Sequence, residues 1–173
     1  MRCFISFAFI CFFTIHTAAA KDNVHFSGAL VAEPCLVPDE DTDIRIDFGT
    51  VIKKYLYQYQ RTKSQPFMIH LVTCDPSILS TVSVTFDAVP DSELNDLVMI
   101  DATSIAQGVA IGIELANGDL LPVNKASPYT QLSNGNNVLT FGAFVQARPT
   151  VIENKTLIAG DFSATTTFIL AYQ

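Results

Sequence analysis

Cys35 and Cys74, His25 and His70, and the acidic run Asp39-Glu40-Asp41-Thr42-Asp43 are among the residues of this chain that could ligate a metal or move a proton. Neither histidine stands beside a nucleophile motif, because no GxSxG, HExxH or SxxK occurs. In an extended chain both take the outward parity, His25 beside Phe26 and His70 between Ile69 and Leu71, which fits solvated strand histidines. The acidic run lacks the alternating ligands and mid-loop glycine of a calcium loop, so a solvated loop is expected over residues 38–43. The glycines form neither GxGxxG nor GxxxxGK, and Asn154-Lys155-Thr156 is a glycosylation sequon of a kind frequent by chance. No catalytic, cofactor-binding or metal-ligating set assembles, so neither an enzyme nor a cofactor is expected.

Cysteine chemistry depends on compartment. Met1-Arg2 gives a basic start, residues 3–15 form an almost unbroken apolar run, and Ala18-Ala19-Ala20 offers the small residues a signal peptidase reads. The run is shorter than the roughly 20 residues of a membrane span, so residues 1–20 are expected to be a signal peptide and no membrane insertion is expected. Cleavage removes Cys3 and Cys11. Two cysteines left in an exported chain are expected to pair; a metal site would want more ligands nearby, and a redox pair a CxxC that is absent. The Cys35–Cys74 ring would hold 40 residues, which stabilises by ~4 kcal/mol in the chain-entropy model. Removing 20 of 173 residues leaves 153, enough for one domain with one core. Without Arg2, nine basic residues face 17 acidic ones, and a net charge of −8 argues against nucleic acid or anionic lipid as partners.

The elements that could position a site are strands. Apolar residues alternate at Val24, Phe26, Leu30; at Ile44, Ile46, Phe48; at Phe67, Ile69, Leu71; at Val82, Val84, Phe86; and at Val109, Ile111, Ile113, Leu115, before the turn signal Asn117-Gly118. Residues 138–145 form a further strand, entered from the turn Ser133-Asn134-Gly135-Asn136. Short strands with β-branched and aromatic enrichment imply an all-β antiparallel sandwich. Residues 53–63 read as a strand or an extended connection, 90–101 as a loop with a helical turn, and 150–155 as an exposed turn.

The two ends break the usual rule that termini turn polar. Phe162, Ala164, Thr166, Phe168, Leu170 and Tyr172 share one parity, so one long strand is expected to close the chain. A strand-like segment also opens the mature chain. Open, apolar edges invite strand addition, and a chain that keeps both ends β-competent uses edge pairing as a function.

Several stretches, in order, resemble pilin subunits of chaperone–usher fimbriae, close to the type 1 group. Val24-His25-Phe26-Ser27-Gly28-Ala29-Leu30-Val31-Ala32-Glu33-Pro34-Cys35 is similar to that family's N-terminal extension running into its first cysteine. Phe67-Met68-Ile69-His70-Leu71-Val72-Thr73-Cys74 resembles the approach to the second. Gly108-Val109-Ala110-Ile111-Gly112-Ile113-Glu114-Leu115 and Leu139-Thr140-Phe141-Gly142-Ala143-Phe144-Val145-Gln146-Ala147 resemble two of its strands, and Gly160 with penultimate Tyr172 its C-terminal signature. The tyrosine-rich stretch Tyr55, Tyr57, Tyr59 and the triplet Thr165-Thr166-Thr167 depart from the pattern.

The resemblance implies an incomplete immunoglobulin-like sandwich over residues 34–173, preceded by a donor-strand extension over 21–33. Val24, Phe26 and Leu30 would enter a neighbour's groove, with Gly28 where the groove is shallow and Asp22 at its end. Gly160, Phe162, Ala164, Thr166, Phe168, Leu170 and Tyr172 would border this chain's own groove and meet a chaperone strand first. The implied partners are other pilin subunits, a periplasmic fimbrial chaperone and an outer-membrane usher. The product would be a surface fimbrium supporting cell adhesion. The competing expectation is a secreted, self-complete β-sandwich that binds a sugar or a protein.

Overall fold

The computed structural model describes Val24, residues 26–28, Leu30 and residues 32–173. The expected leader 1–20, Asp22 and His25 lie outside the described residues. The chain divides into a leading unit, Met1–Val31, and a compact unit, Ala32–Gln173. In the leading unit Val24, Phe26 and Leu30 are all exposed.

The compact unit is mostly β. Strands β1 (Gln65–Cys74), β2 (Thr81–Asp87), β3 (Val98–Met99), β4 (Val109–Leu115), β5 (Leu120–Leu121), β6 (Thr130–Gln131), β7 (Gly135–Ala147) and β8 (Thr167–Tyr172) form two antiparallel sheets. One has the order β1-β7-β4-β3 with β5 also on β4, and the other the order β6-β2-β8. Alternation decides which side chains meet between them. Ile69 and Leu71 of β1, Val82, Val84 and Phe86 of β2, and Leu139, Phe141 and Val145 of β7 share one buried core. Phe86 stands edge-on to both Phe141 and Phe67, with ring centroids 5.1 and 5.9 Å away, and so ties the sheets together.

β4 is buried on both faces except at its last residue. The outer face of its sheet carries a second small core of Leu97, Ala110 and Phe144. Gly112 makes room for it, since a Cβ there would lie 2.1 Å from the Phe144 ring. The Arg61 guanidinium covers that ring at 3.5 Å from its centroid and bonds to Glu114 at 2.8 Å. Burial acts to raise the Glu114 carboxyl, but Ser64 and Arg61 hold it below its ordinary value.

The expected disulfide forms: Cys35 and Cys74 are bonded and both buried. Four expectations change. Residues 53–59 do not extend, while Arg61 just beyond them forms a β-bridge with Gln146: Lys53–Tyr59 is a helix, α1, with the Tyr55 and Tyr59 rings tilted at 4.5 Å between centroids and the Lys53 ammonium 5.9 Å from the Tyr57 ring. These are one-turn neighbours, so the tyrosine alternation conceals a helical spacing. Pro149–Asn154 is a second short helix, α2, rather than a turn. Residues 90–101 contain β3. The acidic run is not wholly solvated either: Asp41 is buried, accepts the His70 backbone N–H and lies 2.9 Å from His70 Nδ1.

Candidate functional site

The site is an edge, and its residues follow from strand geometry. Thr81 and Gln173 exchange both backbone hydrogen bonds. In an antiparallel ladder such pairs alternate, so Ser83–Ala171, Thr85–Ile169 and Asp87–Thr167 bond in the same way. Phe168, Leu170 and Tyr172 therefore turn their N–H and C=O groups away from β2. Among the described residues no strand pairs with that edge of β8. The same three residues point their side chains toward the core, because side chain and N–H alternate together along a strand.

Burial registers the missing cover. Val82, Val84 and Phe86 are 1–3% exposed, whereas their cross-strand partners Tyr172, Leu170 and Phe168 are only half-buried. Pairing with β2 begins at Thr167, so the expected long closing strand is shorter as a paired element. Its pattern nevertheless runs on: Phe162 and Ala164 are half-buried, and Asp161 and Ser163 give their carbonyls to Ile105, Ala106 and Asp101 on the inner side. Thr166 departs from it, being exposed, with its hydroxyl donated to the Asp87 carbonyl at 2.9 Å.

A second rail lies across from this edge. Ile44, Ile46 and Phe48 alternate half-buried with exposed neighbours, as their parity predicts. Yet residues 43–51 make no backbone–backbone hydrogen bond among the described residues. Phe48 meets Phe162 at a centroid distance of 6.2 Å. Among the described residues, then, two extended segments flank the core, one with its outward peptide groups unpaired and the other, residues 43–51, with no backbone pairing. The free edge of β1 is treated differently: Pro66 has no N–H, Asp41 caps His70, and Val72 pairs with Leu36. Capping of that kind blunts an edge, and β8 has none of it.

At one end of the β8 edge Gly160 packs where no side chain fits, since a Cβ would come within 2.5 Å of Ile105 and 2.9 Å of the Ala106 nitrogen. Beside it is a cavity of ≈ 70 Å³ between Gly160, Phe162, Leu157, Val109 and α1. A larger concavity of ≈ 300 Å³ is bordered by Phe48, Ile52, Tyr55, Lys63 and Gln65. At the other end, burial first and then the Glu33 carboxylate push the Tyr172 hydroxyl up, so it stays neutral at physiological pH. Among the described residues no cluster of three potential metal ligands occurs, and no helix is long and apolar enough to cross a membrane. The sequence signals were the parity of residues 162–172 for the edge and of Ile44, Ile46 and Phe48 for the rail; that the rail stays unpaired, and that α1 borders a cavity, carried none, because neither depends on local spacing.

A sequence model of the family described as Fimbrial protein matches residues 24–173. An uncharacterised fimbrial-like protein of Escherichia coli, YfcP, is 33% identical over 156 residues, covering 89% of this chain and 85% of that protein. Fimbria A protein of Serratia marcescens is 32% identical over 160 residues, covering 90% and 89%. Among solved structures, the P pilus rod subunit PapA superposes with a TM-score of 0.71 at 27% identity, covering 82% of this chain and all of that one.

Proposed function

The chain belongs to the fimbrial protein family and is a non-enzymatic pilus subunit; from that premise we propose that it polymerises by accepting a β-strand from the next subunit along the open edge of β8. The observation that supports this most directly is the contrast across one ladder, in which β2 is sealed and its partner β8 is half-covered. A strand laid between the rails would pair the outward peptide groups of Phe168, Leu170 and Tyr172 and cover their side chains.

The donor is the segment 21–33 of another copy or of a related subunit. Val24, Phe26 and Leu30, exposed in the leading unit, supply the apolar face, and burying each contributes roughly 1.5–3 kcal/mol before ordering costs. Antiparallel insertion, the sense of every other pair in that sheet, places Leu30 at the Gly160 end, Phe26 and Val24 along β8, and Asp22 beyond them. A periplasmic chaperone covers the edge first, an outer-membrane usher receives the complex, and the assembled fimbrium supports adhesion at the cell surface.

Expression of residues 21–173 in the periplasm with and without a fimbrial chaperone tests this reading. The chain should be degraded or aggregate alone and copurify with the chaperone. Removal of residues 21–33 should preserve that complex while abolishing donation. A monomer that is soluble and melts cooperatively without chaperone or added strand would refute it.

A further inference from the structure

α1 occupies the stretch whose tyrosines set this sequence apart, and its side chains are spent on one residue. Lys53 Nζ donates to the Leu157 carbonyl at 2.7 Å, and the Leu157 N–H donates to the Tyr57 hydroxyl at 3.1 Å. Both backbone groups of Leu157 are thereby satisfied by a helix about a hundred residues earlier in the chain. Between those two contacts Leu56, 3% exposed, anchors α1 in the core. On its far side the same chain is held by backbone pairing of Ile158 with Gln107. Leu157 and α1 form one wall of the ≈ 70 Å³ cavity, and the tight packing of Gly160 on Ile105 fixes another.

We propose that Lys53 and Tyr57 are specificity-determining residues for the incoming strand: by fastening α1 to Leu157 they set the width of the cavity at the Gly160 end and restrict the side chain received there to an aliphatic one. This rests on the strand-accepting reading above. At ≈ 70 Å³ the cavity has less than half the ~150 Å³ of an apolar cavity that admits benzene. It has room for a few methyl-sized groups and none for a phenyl ring, and forcing a larger group into a packed site is unfavourable. Tyr57 touches Leu157 and does not line the cavity, so it acts by position, whereas Lys53 both holds the Leu157 carbonyl and lines the cavity.

The test refolds the mature chain with an equimolar mixture of two synthetic peptides spanning residues 21–33, one native and one carrying Leu30→Phe, and counts the complexes by native mass spectrometry. The wild type should take the native peptide about tenfold more often. The Lys53→Met, Tyr57→Phe double variant should still take the native peptide but prefer it no more than about twofold, while Lys53→Arg, which keeps a donor for the Leu157 carbonyl, should retain the preference. Undiminished preference in the double variant, or equal uptake of both peptides by the wild type, overturns the proposal. Should the double variant not refold, Tyr57→Phe alone decides, because it removes one hydroxyl: an unchanged ratio overturns the proposal and a reduced one supports it. A wild type that takes neither peptide refutes strand acceptance itself, and this inference with it.

Discussion

Asp91 is fully buried, and what surrounds it explains why a charge survives there. Its carboxylate accepts the Arg148 Nε–H, shared between its two oxygens at 2.9 and 3.1 Å, an Nη2–H at 2.5 Å, and the backbone N–H groups of Glu93 and Leu94 at 3.0 Å each. Glu93 in turn accepts the N–H and hydroxyl of Thr150, so one cluster fastens α2 to the loop before β3. Burial acts to raise the Asp91 carboxyl; Arg148 and the two N–H groups outweigh it and hold it below its ordinary value of 3.8. A carboxyl lowered on folding contributes stability that is present above its unfolded value and is lost as pH falls through the folded one. Asp91→Asn in the chain completed by the 21–33 peptide should therefore cost about 3 kcal/mol at neutral pH. It should also flatten the loss of stability below about pH 4. Urea unfolding at a series of pH values measures both, and a parallel pair of pH profiles would assign the acid sensitivity to other carboxyls.

At the scale of elements, side-chain period was legible and pairing was not. The alternation of Phe67-Ile69-Leu71, Val82-Val84-Phe86 and Val109-Ile111-Ile113 located β1, β2 and β4, because each buries one face on a shared core. The even residues from Phe162 to Tyr172, Thr166 apart, are half-buried as their shared parity implies, but no period tells where hydrogen bonding to β2 begins. α1 was hidden because Tyr55, Tyr57 and Tyr59 alternate like a strand while Leu56, the residue between, enters the core. The burial of Asp41 is not legible in its acidic run because its partner, the His70 N–H at the edge of β1, exists only after the sheet forms. The β8 edge permits a test of pairing separate from side-chain burial. Leu170→Pro removes an N–H that faces outward and puts a ring at the edge, while Ala171 and Ile169 keep their bonds to β2. Uptake of the 21–33 peptide should fall more than about tenfold further than in Leu170→Ala, which removes the side chain and keeps the N–H. Equal losses in the two variants would place the binding energy in the side chain alone.

For the whole molecule, the proposed donor and acceptor occupy different parts of one chain, and on that proposal the kind of assembly follows. A contact joining unlike surfaces is heterologous; it repeats without closing unless the rotation returns on itself, so it grows a fibre with two different ends. One end exposes a free donor segment and the other an open β8 edge. A chain lacking residues 21–33 keeps the second and loses the first. It can accept the donor of a growing fibre and then offers none of its own, so it terminates that end. Mixed with full-length mature chain at refolding, it should shorten fibres in proportion to its mole fraction, with one capping chain in about ten giving a mean near ten subunits, on the assumption that both chains present the same heterologous edge. Electron microscopy of the mixtures gives the length distribution. Carrying Leu170→Pro on the truncated chain blocks its acceptor edge as well, and that double variant should leave fibre length unchanged. If the truncated chain alone leaves it unchanged, segment 21–33 is not what links one subunit to the next, and the half-covered face of β8 must serve some other contact.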